Sequence, residues 1–417
     1  MRILFISEKL PYPLDTGGNI RSYHVLKALS MEHQVTLLTT VSSPSDRRHL
    51  KSVEQLGINI WPIETSIPNI FQDFSRLLQS VFTGKPFVLY RHFDKDVADR
   101  ISGTLKKKYS STMDHRKGGN EAYPFDAVHF NHLDAALYAN CIPPNVLKFL
   151  DQHNIVTNQI MTTIQNEDNR IRRLILNTDL GKVREFEIRA CRQMDCCFVC
   201  SATDYSALKK MSEDINLVTL PNGVDLNYFS IAKNNMPKRY DMVFVGTMDY
   251  DPCEKGIFYF LNEILPLIQQ NQPEVKIAII GRNPSDRLIA MAKKNKHIEL
   301  TGRVSDIRPY VYGSRVFFVP LLSGSGTRLK ILEAMAMGIP VVSTSIGAEG
   351  INLTDGKDIL IGDSPEQFAT CVGMLLKDQV LADSIKTRAR SLVESRYGWD
   401  RISTELLDTY RNIKGQY

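Results

Sequence analysis

Hydrophobic residues along this chain arrive in short runs rich in valine, isoleucine and phenylalanine, separated by longer stretches whose apolar positions recur at helical spacing. In the first half the runs predict strands at Ile3–Ile6, Val35–Thr39, Ile58–Pro62, Ala127–Phe130, Val146–Leu150, Cys197–Cys200 and Leu217–Leu220. In the second half they predict strands at Met242–Val245, Lys276–Ile280, Ile298–Leu300, Val316–Val319, Pro340–Ser343 and Ile359–Ile361. Strands spaced by helix-length intervals argue for parallel sheets assembled from βαβ units. The pattern starts twice, which predicts two doubly wound α/β domains. Between them Pro221–Arg239 is rich in turn formers and reads as the linker. A last helical pattern covers Asp400–Lys414.

Two stretches break the rhythm. Residues 110–123 (SSTMDHRKGGNEAY) are polar and glycine-containing, as a surface loop would be. From Ile67 to Tyr109 aromatic residues such as Phe71, Phe74, Phe82 and Phe87 mix with basic ones, including Lys106–Lys108. That mixture fits a helix packed on its own sheet with a solvated basic face, and it also fits an amphipathic membrane contact.

Length agrees with two domains, since 417 residues exceed one ordinary core. A hydrophobic content of 43% and a charged content of 23% are those of a soluble globular chain. The net charge of +5 is small for this length, so no nucleic-acid reader is indicated. The first residues, MRILFISEKL, read as a strand rather than a leader, and no run reaches the ~20 apolar residues of a membrane span. A cytoplasmic protein is expected. The seven cysteines include Cys196, Cys197 and Cys200 in one apolar segment; without a second CxxC or a histidine pair they read as buried thiols.

The most distinctive chemistry lies in Ser323–Val342, SGSGTRLKILEAMAMGIPVV. Ser325 or Thr327 is the expected N-cap of a helix carrying Leu329, Leu332 and Ala336, which Gly338 and Pro340 stop. Helix starts favour acidic residues, yet this one holds Arg328 and Lys330 and no carboxylate. Two cations, flexible glycines and free N–H groups make an anion cradle suited to phosphate. Glu333, one turn on, is placed to accept hydrogen bonds from a vicinal diol such as ribose. The alternative is a solvated Lys330–Glu333 pair on an ordinary helix with Arg328 exposed.

With these motifs placed, nearly the whole chain resembles family 4 glycosyltransferases of the GT-B fold, in which two Rossmann-like domains face each other across a cleft. The resemblance is carried by Gly17-Gly18, LDQHN at Leu150–Asn154, CSATDYSAL at Cys200–Leu208 and PNGVD at Pro221–Asp225. VGTMDYDP at Val245–Pro252, LTGRVSDIRPY at Leu300–Tyr310 and GTRLKILEAMAMG complete it. It implies an acceptor-side domain over residues 1–225, a nucleotide-sugar domain over 226–396, and a terminal helix over 397–417 crossing back to the first domain.

The resemblance also implies roles. Glu333 matches the second glutamate of the family's E-x7-E motif and would bind ribose. The first glutamate is replaced by Ser325, as in a GTRLK-type variant, and the arginine expected after the VG of the second domain's first strand is replaced by Thr247. Lys255 lies near the family's lysine position. Arg328 and Lys330 are the candidates for the missing diphosphate charge, with His153 facing the donor sugar; His132 and His129 are weaker candidates. Gly17, Gly18, Gly246, Thr247, Arg282, Gly302, Arg303, Val304, Gly326 and Thr327 complete the expected substrate-binding set, and Asn222 and Asp225 shape the linker. The implied reaction is metal-independent, retaining transfer from a UDP- or GDP-sugar to an acceptor hydroxyl, the leaving phosphate taking the acceptor's proton. Saccharide, lipid-linked or small-molecule acceptors and a peripheral membrane contact are compatible with it. Two alternatives stay open: a nucleotide-sugar epimerase of the same fold, and a silent sugar-nucleotide-binding protein.

Overall fold

The computed structural model describes residues 1–65, 75–77, 80, 82–110, 124–232, 236–324 and 326–415. The chain divides into two units, Met1–Pro221 with Ser403–Tyr417, and Asn222–Ile402. Each is a doubly wound α/β domain built on one parallel sheet.

The first sheet has seven strands: β1 (Arg2–Ser7), β2 (Gln34–Val41), β3 (Asn59–Glu64), β4 (Ala127–Asn131), β5 (Leu147–Gln152), β6 (Cys196–Val199) and β7 (Leu217–Thr219). Their order is β3-β2-β1-β4-β5-β6-β7. Strands covered by helices on both faces must be apolar throughout, and all five residues of β4 and all four of β6 are buried. Pro62 is tolerated because β3 is an edge strand, where a missing N–H breaks no ladder. Cys196 and Cys197 are core residues of β6 and Cys200 follows it, all buried.

The second sheet has six strands: β8 (Tyr240–Val245), β9 (Ile277–Ile280), β10 (Ile298–Gly302), β11 (Ser314–Val319), β12 (Val341–Ser343) and β13 (Leu360–Ile361), in the order β10-β9-β8-β11-β12-β13. Among the described residues all thirteen strands overlap the hydrophobic runs that predicted them. In each sheet the order reverses beside the first strand, between β1 and β4 and between β8 and β11. Such a switch leaves the carboxyl ends of two neighbouring strands free of a crossing connection, which is where doubly wound folds take ligands.

The terminal helix runs from Trp399 to Lys414. Tyr410 ties it to the first unit: its ring stacks on Phe149 at 3.8 Å and its hydroxyl lies 2.7 Å from His129 Nδ1. His129 is therefore a core residue, stacked on Phe5 with centroids 4.6 Å apart, and not the site candidate its place in the sequence suggested. Burial lowers its pKa to about 4, so it is held neutral.

Of the Ile67–Tyr109 stretch, the described Lys95–Ser110 helix buries Val97 and Ile101 in the first unit's core. Phe71, Phe74 and residues 111–123 lie outside the described residues, as do the side chains of Lys106–Lys108. Among the described residues no helix is long and apolar enough to cross a membrane.

Candidate functional site

At the switch point of the second unit, glycines permit approaches that no side chain would allow. A Cβ on Gly281, after β9, would lie 1.7 Å from the carbonyl oxygen of Gly246, after β8. A Cβ on Gly246 would meet the Phe244 ring at 2.8 Å and Lys330 Nζ at 2.9 Å. The loop leaving β11 turns through Gly324 at φ 117° and Gly326 at φ 80°, conformations that favour glycine. On Gly324 a Cβ would crowd Arg328 Nη2 at 2.8 Å and the Tyr250 hydroxyl at 3.3 Å.

This loop delivers the cations. The helix spans Leu329–Ala336 and its N-cap is Arg328, with no side-chain capping bond and no acid in the first turn. The expected cap by Ser325 or Thr327 is thus corrected. Gly326 turns the chain before the helix, and Thr327 packs against Gly350, where a Cβ would lie 3.3 Å from the Thr327 Cα. Thr327 Oγ1 is buried with no hydrogen-bond partner among the described residues. Ser325 itself lies outside the described residues. The first N–H groups consequently keep their partial positive charge without a side-chain acceptor.

Arg328 is only 7% exposed, against the reading of a solvated arginine, and its Nη1 donates to the Gly326 carbonyl at 3.0 Å. Lys330 Nζ donates to Cys253 Sγ at 3.4 Å and lies 4.6 Å from the centroid of the Phe244 ring. Burial lowers the pKa of both groups, Arg328 being kept from water and Lys330 half-buried. Burial also raises Glu333 to about 7, a rise that Lys330 tempers. Charge held in a low-dielectric site is relieved when a ligand of opposite charge arrives.

The remaining expected residues divide. Gly302, at φ 68°, accepts the Gly281 N–H at 3.1 Å and so carries Arg303 and Val304 past the end of β9. The Arg282 carbonyl accepts from Met248 at 3.0 Å, and that of Thr247 from Tyr250 at 3.2 Å. Lys255 is different: it sits on the exposed face of the Asp251–Tyr259 helix, paired with Asp251 at 3.0 Å, and Lys330 is the lysine that reaches the glycine cluster. Phe244, Tyr250 and Cys253 were not foreseen. Only Tyr250 and Cys253 had a signal, the DYDPCE stretch that leads into Lys255.

The first unit has its own polar cluster at the β1/β4 switch. Thr16 caps the Gly17–Glu32 helix by accepting from the Asn19 N–H at 3.3 Å. Beside its second residue, a Cβ on Gly18 would lie 3.6 Å from His153 Nδ1. His153 Nε2 lies 3.2 Å from Asn131 Oδ1 and 3.5 Å from Asp151 Oδ2. Asp151 is paired with Arg21 at 2.6 Å, both essentially inaccessible, and Arg21 also donates to the Leu220 carbonyl at 2.9 Å. Burial alone would raise the Asp151 carboxyl, but the Arg21 charge and the His153 hydrogen bond hold it well below the usual range. His132 stands at φ 78° with its ring edge-on to His153, centroids 5.3 Å apart. Neither Arg21 nor Asp151 was singled out, because their pairing spans 130 residues of sequence. Asn222 is buried, and Asp225 accepts from the N–H groups of Asn227 and Tyr228 at 3.0 and 2.9 Å, turning the linker.

Comparison with known proteins adds the following. Residues 239–378 match the family model described as Glycosyl transferases group 1. The phosphatidyl-myo-inositol mannosyltransferase of Mycolicibacterium smegmatis is 30% identical over 207 residues, 48% of this chain and 52% of that protein. An uncharacterized 44.6 kDa protein in the cps region of Klebsiella pneumoniae is 27% identical over 174 residues, 40% of this chain and 45% of that protein. The chain thus spans about half the length of the curated relatives it matches. Among solved structures, sucrose-phosphate synthase from Thermosynechococcus elongatus superposes with a TM-score of 0.67 at 17% identity, covering 100% of both chains. HepE of Anabaena in complex with UDP gives a TM-score of 0.68 at 12% identity, covering 99% of this chain and 100% of its own. These structural likenesses place the chain in the GT-B fold.

Proposed function

We propose that this protein is a retaining glycosyltransferase of the GTRLK-type variant, moving a hexose from a UDP- or GDP-sugar to an acceptor hydroxyl in polysaccharide or glycoconjugate synthesis. The observation that carries the reading is the start of the Leu329–Ala336 helix. There buried Arg328, Lys330 and an N-terminus without a side-chain cap converge within the segment that matches the glycosyltransferase model. Mannosyltransferase relatives and UDP-bound structural neighbours support a nucleotide-sugar donor.

Breaking the anomeric C–O bond leaves negative charge on the diphosphate and positive character on the sugar. In this reading Arg328, Lys330 and the helix N–H groups carry the leaving-group charge, as preorganised dipoles do most effectively. Glu333 accepts from the ribose diol, His153 faces the sugar, and the leaving phosphate takes the acceptor's proton. Backbone groups at Gly302–Val304 read the base.

The reading is tested by incubating the protein with a panel of UDP-, GDP- and dTDP-sugars. Acceptor-dependent release of nucleoside diphosphate is expected. The epimerase alternative draws on the Glu8 and Asp134 carboxyls at the β1/β4 switch, and the appearance of a new donor isomer without acceptor would select it instead. Donor binding with neither transfer nor hydrolysis would select the silent binder.

A cytoplasmic enzyme touching the inner face of the membrane completes the proposal. Ile171 and Leu174 are 73% and 65% exposed one helical turn apart, flanked by exposed Arg170, Arg172 and Arg173, a pattern suited to an anionic lipid surface. Co-sedimentation with phosphatidylglycerol vesicles is the expected result, lost in Ile171→Glu/Leu174→Glu.

A further inference from the structure

Beyond His153, the β1/β4 switch holds a group of side chains that the donor reading leaves unused. Glu8 directly follows β1, and His132 and Asp134 follow β4. His92 Nδ1 lies 2.6 Å from Glu8 Oε1. His132 Nδ1 lies 3.5 Å from Asp134 Oδ1, buried and without a hydrogen-bond partner among the described residues. The four side chains remain partly accessible, at 24% for Glu8, 37% for His92, 30% for His132 and 16% for Asp134. Among the described residues no group of three such ligands is arranged to hold a metal ion.

We propose that Glu8, His92, His132 and Asp134 form the acceptor-recognition site of the first unit, and that it takes an uncharged polyol, a sugar or cyclitol, in preference to a phosphorylated one. The proposal rests on the transferase reading and adds its acceptor class. Its basis is the contrast between the two switch points. The second unit gathers a buried and a half-buried cation, Arg328 and Lys330, at a helix start without a side-chain cap, an arrangement for a ligand that only accepts hydrogen bonds. The first unit gathers carboxyls and imidazoles, which accept from neighbouring hydroxyls and can donate back.

The protonation of the pair supports this. Burial and the neighbouring Asp134 raise Glu8, against the pull of His92. Burial alone would raise Asp134 as well, but the charge of the neighbouring His132 holds it well below the usual range. Asp134 thus stays anionic and Glu8 is the more readily protonated partner. A polyol can both accept from Glu8 and donate to Asp134. A phosphate would bring a second anion against Asp134, at a cost of about tenfold or more in affinity.

The test is saturation-transfer NMR on the full chain loaded with UDP or GDP. The probes are methyl α-glucoside, methyl α-mannoside and myo-inositol, each set against glucose 6-phosphate, mannose 6-phosphate and inositol 1-phosphate. At least one neutral probe is expected to bind about tenfold better than its phosphorylated counterpart, and its signal to fall about tenfold in Glu8→Leu, which removes the donor, and in Asp134→Asn. Nucleotide binding by the second unit, followed in the same samples, shows whether each variant is folded. If Glu8→Leu loses both ligands, Asp134→Asn decides the matter. A phosphorylated probe binding as well as its neutral partner overturns the proposal, as does unchanged neutral binding in two folded variants. Because these readouts need no turnover, they are distinct from failure of the transferase reading, which shows as absence of nucleotide release across the donor panel.

Discussion

Glu333 offers the sharpest test of the donor site, because burial ties its charge to both stability and ligand binding. Its pKa rises from 4.5 to about 7, equivalent to about 3 kcal/mol of preference for the protonated carboxyl in the folded protein. The folded state is the one with the raised value. Stability from this group is therefore fully present below about 4.5, declines as pH climbs, and is lost above about 7. In nucleotide-free protein, Glu333→Gln should raise the unfolding free energy by about 2–3 kcal/mol at pH 8 and leave it nearly unchanged at pH 4, read from urea midpoints.

Binding should run the other way. A ribose diol needs the carboxylate as acceptor, and the ionised fraction rises from roughly a tenth at pH 6 to roughly nine tenths at pH 8. Calorimetric titration with a UDP- or GDP-sugar, whose diphosphate diester does not titrate in this range, should show affinity rising about tenfold over that interval. In Glu333→Gln the slope should vanish, and affinity at pH 8 should fall about 10- to 100-fold through loss of a charge-assisted acceptor. A wild-type affinity that ignores pH, or a Gln variant that keeps the slope, would refute the assignment of Glu333 to the nucleotide.

Arg328→Ala is expected to lower kcat by about 10²–10³ while changing donor affinity far less, since its charge acts on the developing leaving group; equal losses in both would contradict that role. Asp151→Asn leaves Arg21 buried without its counter-charge and should cost about 3–5 kcal/mol in chemical denaturation, whereas Arg21→Met/Asp151→Leu should recover most of that loss. A stable single variant would show that the pair is not desolvated in solution. Gly246→Ala must displace the Phe244 ring and Lys330 Nζ, which its Cβ would approach to 2.8 and 2.9 Å; a loss of about 1–3 kcal/mol is expected, with weaker donor binding. Unchanged binding in that variant would remove Lys330 from the donor site.

Where the signal was local, the chain could be read directly. The thirteen strands were legible because parallel strands covered on both faces must be continuously apolar, and that requirement is written residue by residue. So was the cationic helix start, because Arg328 and Lys330 stand where helix electrostatics would place acids. What sequence could not supply was the cap. Ser325 and Thr327 have the right chemistry for an N-cap, but Gly326 turns the backbone and gives that position to Arg328.

The histidines draw the line most clearly. His129 and His132 lie three residues apart in VHFNHLD and look equivalent in sequence. One points into a ring stack completed by Tyr410, 281 residues away, and the other turns out at the strand end beside Asp134. By itself the sequence determined the two-sheet architecture, the glycine turns and the cationic helix start, all consequences of local periodicity and composition. Only the tertiary structure decided which polar groups are buried and what partners them, as with Arg21 and Asp151 or Glu8 and His92. Those pairings depend on which strands become neighbours, and burial then sets their charge.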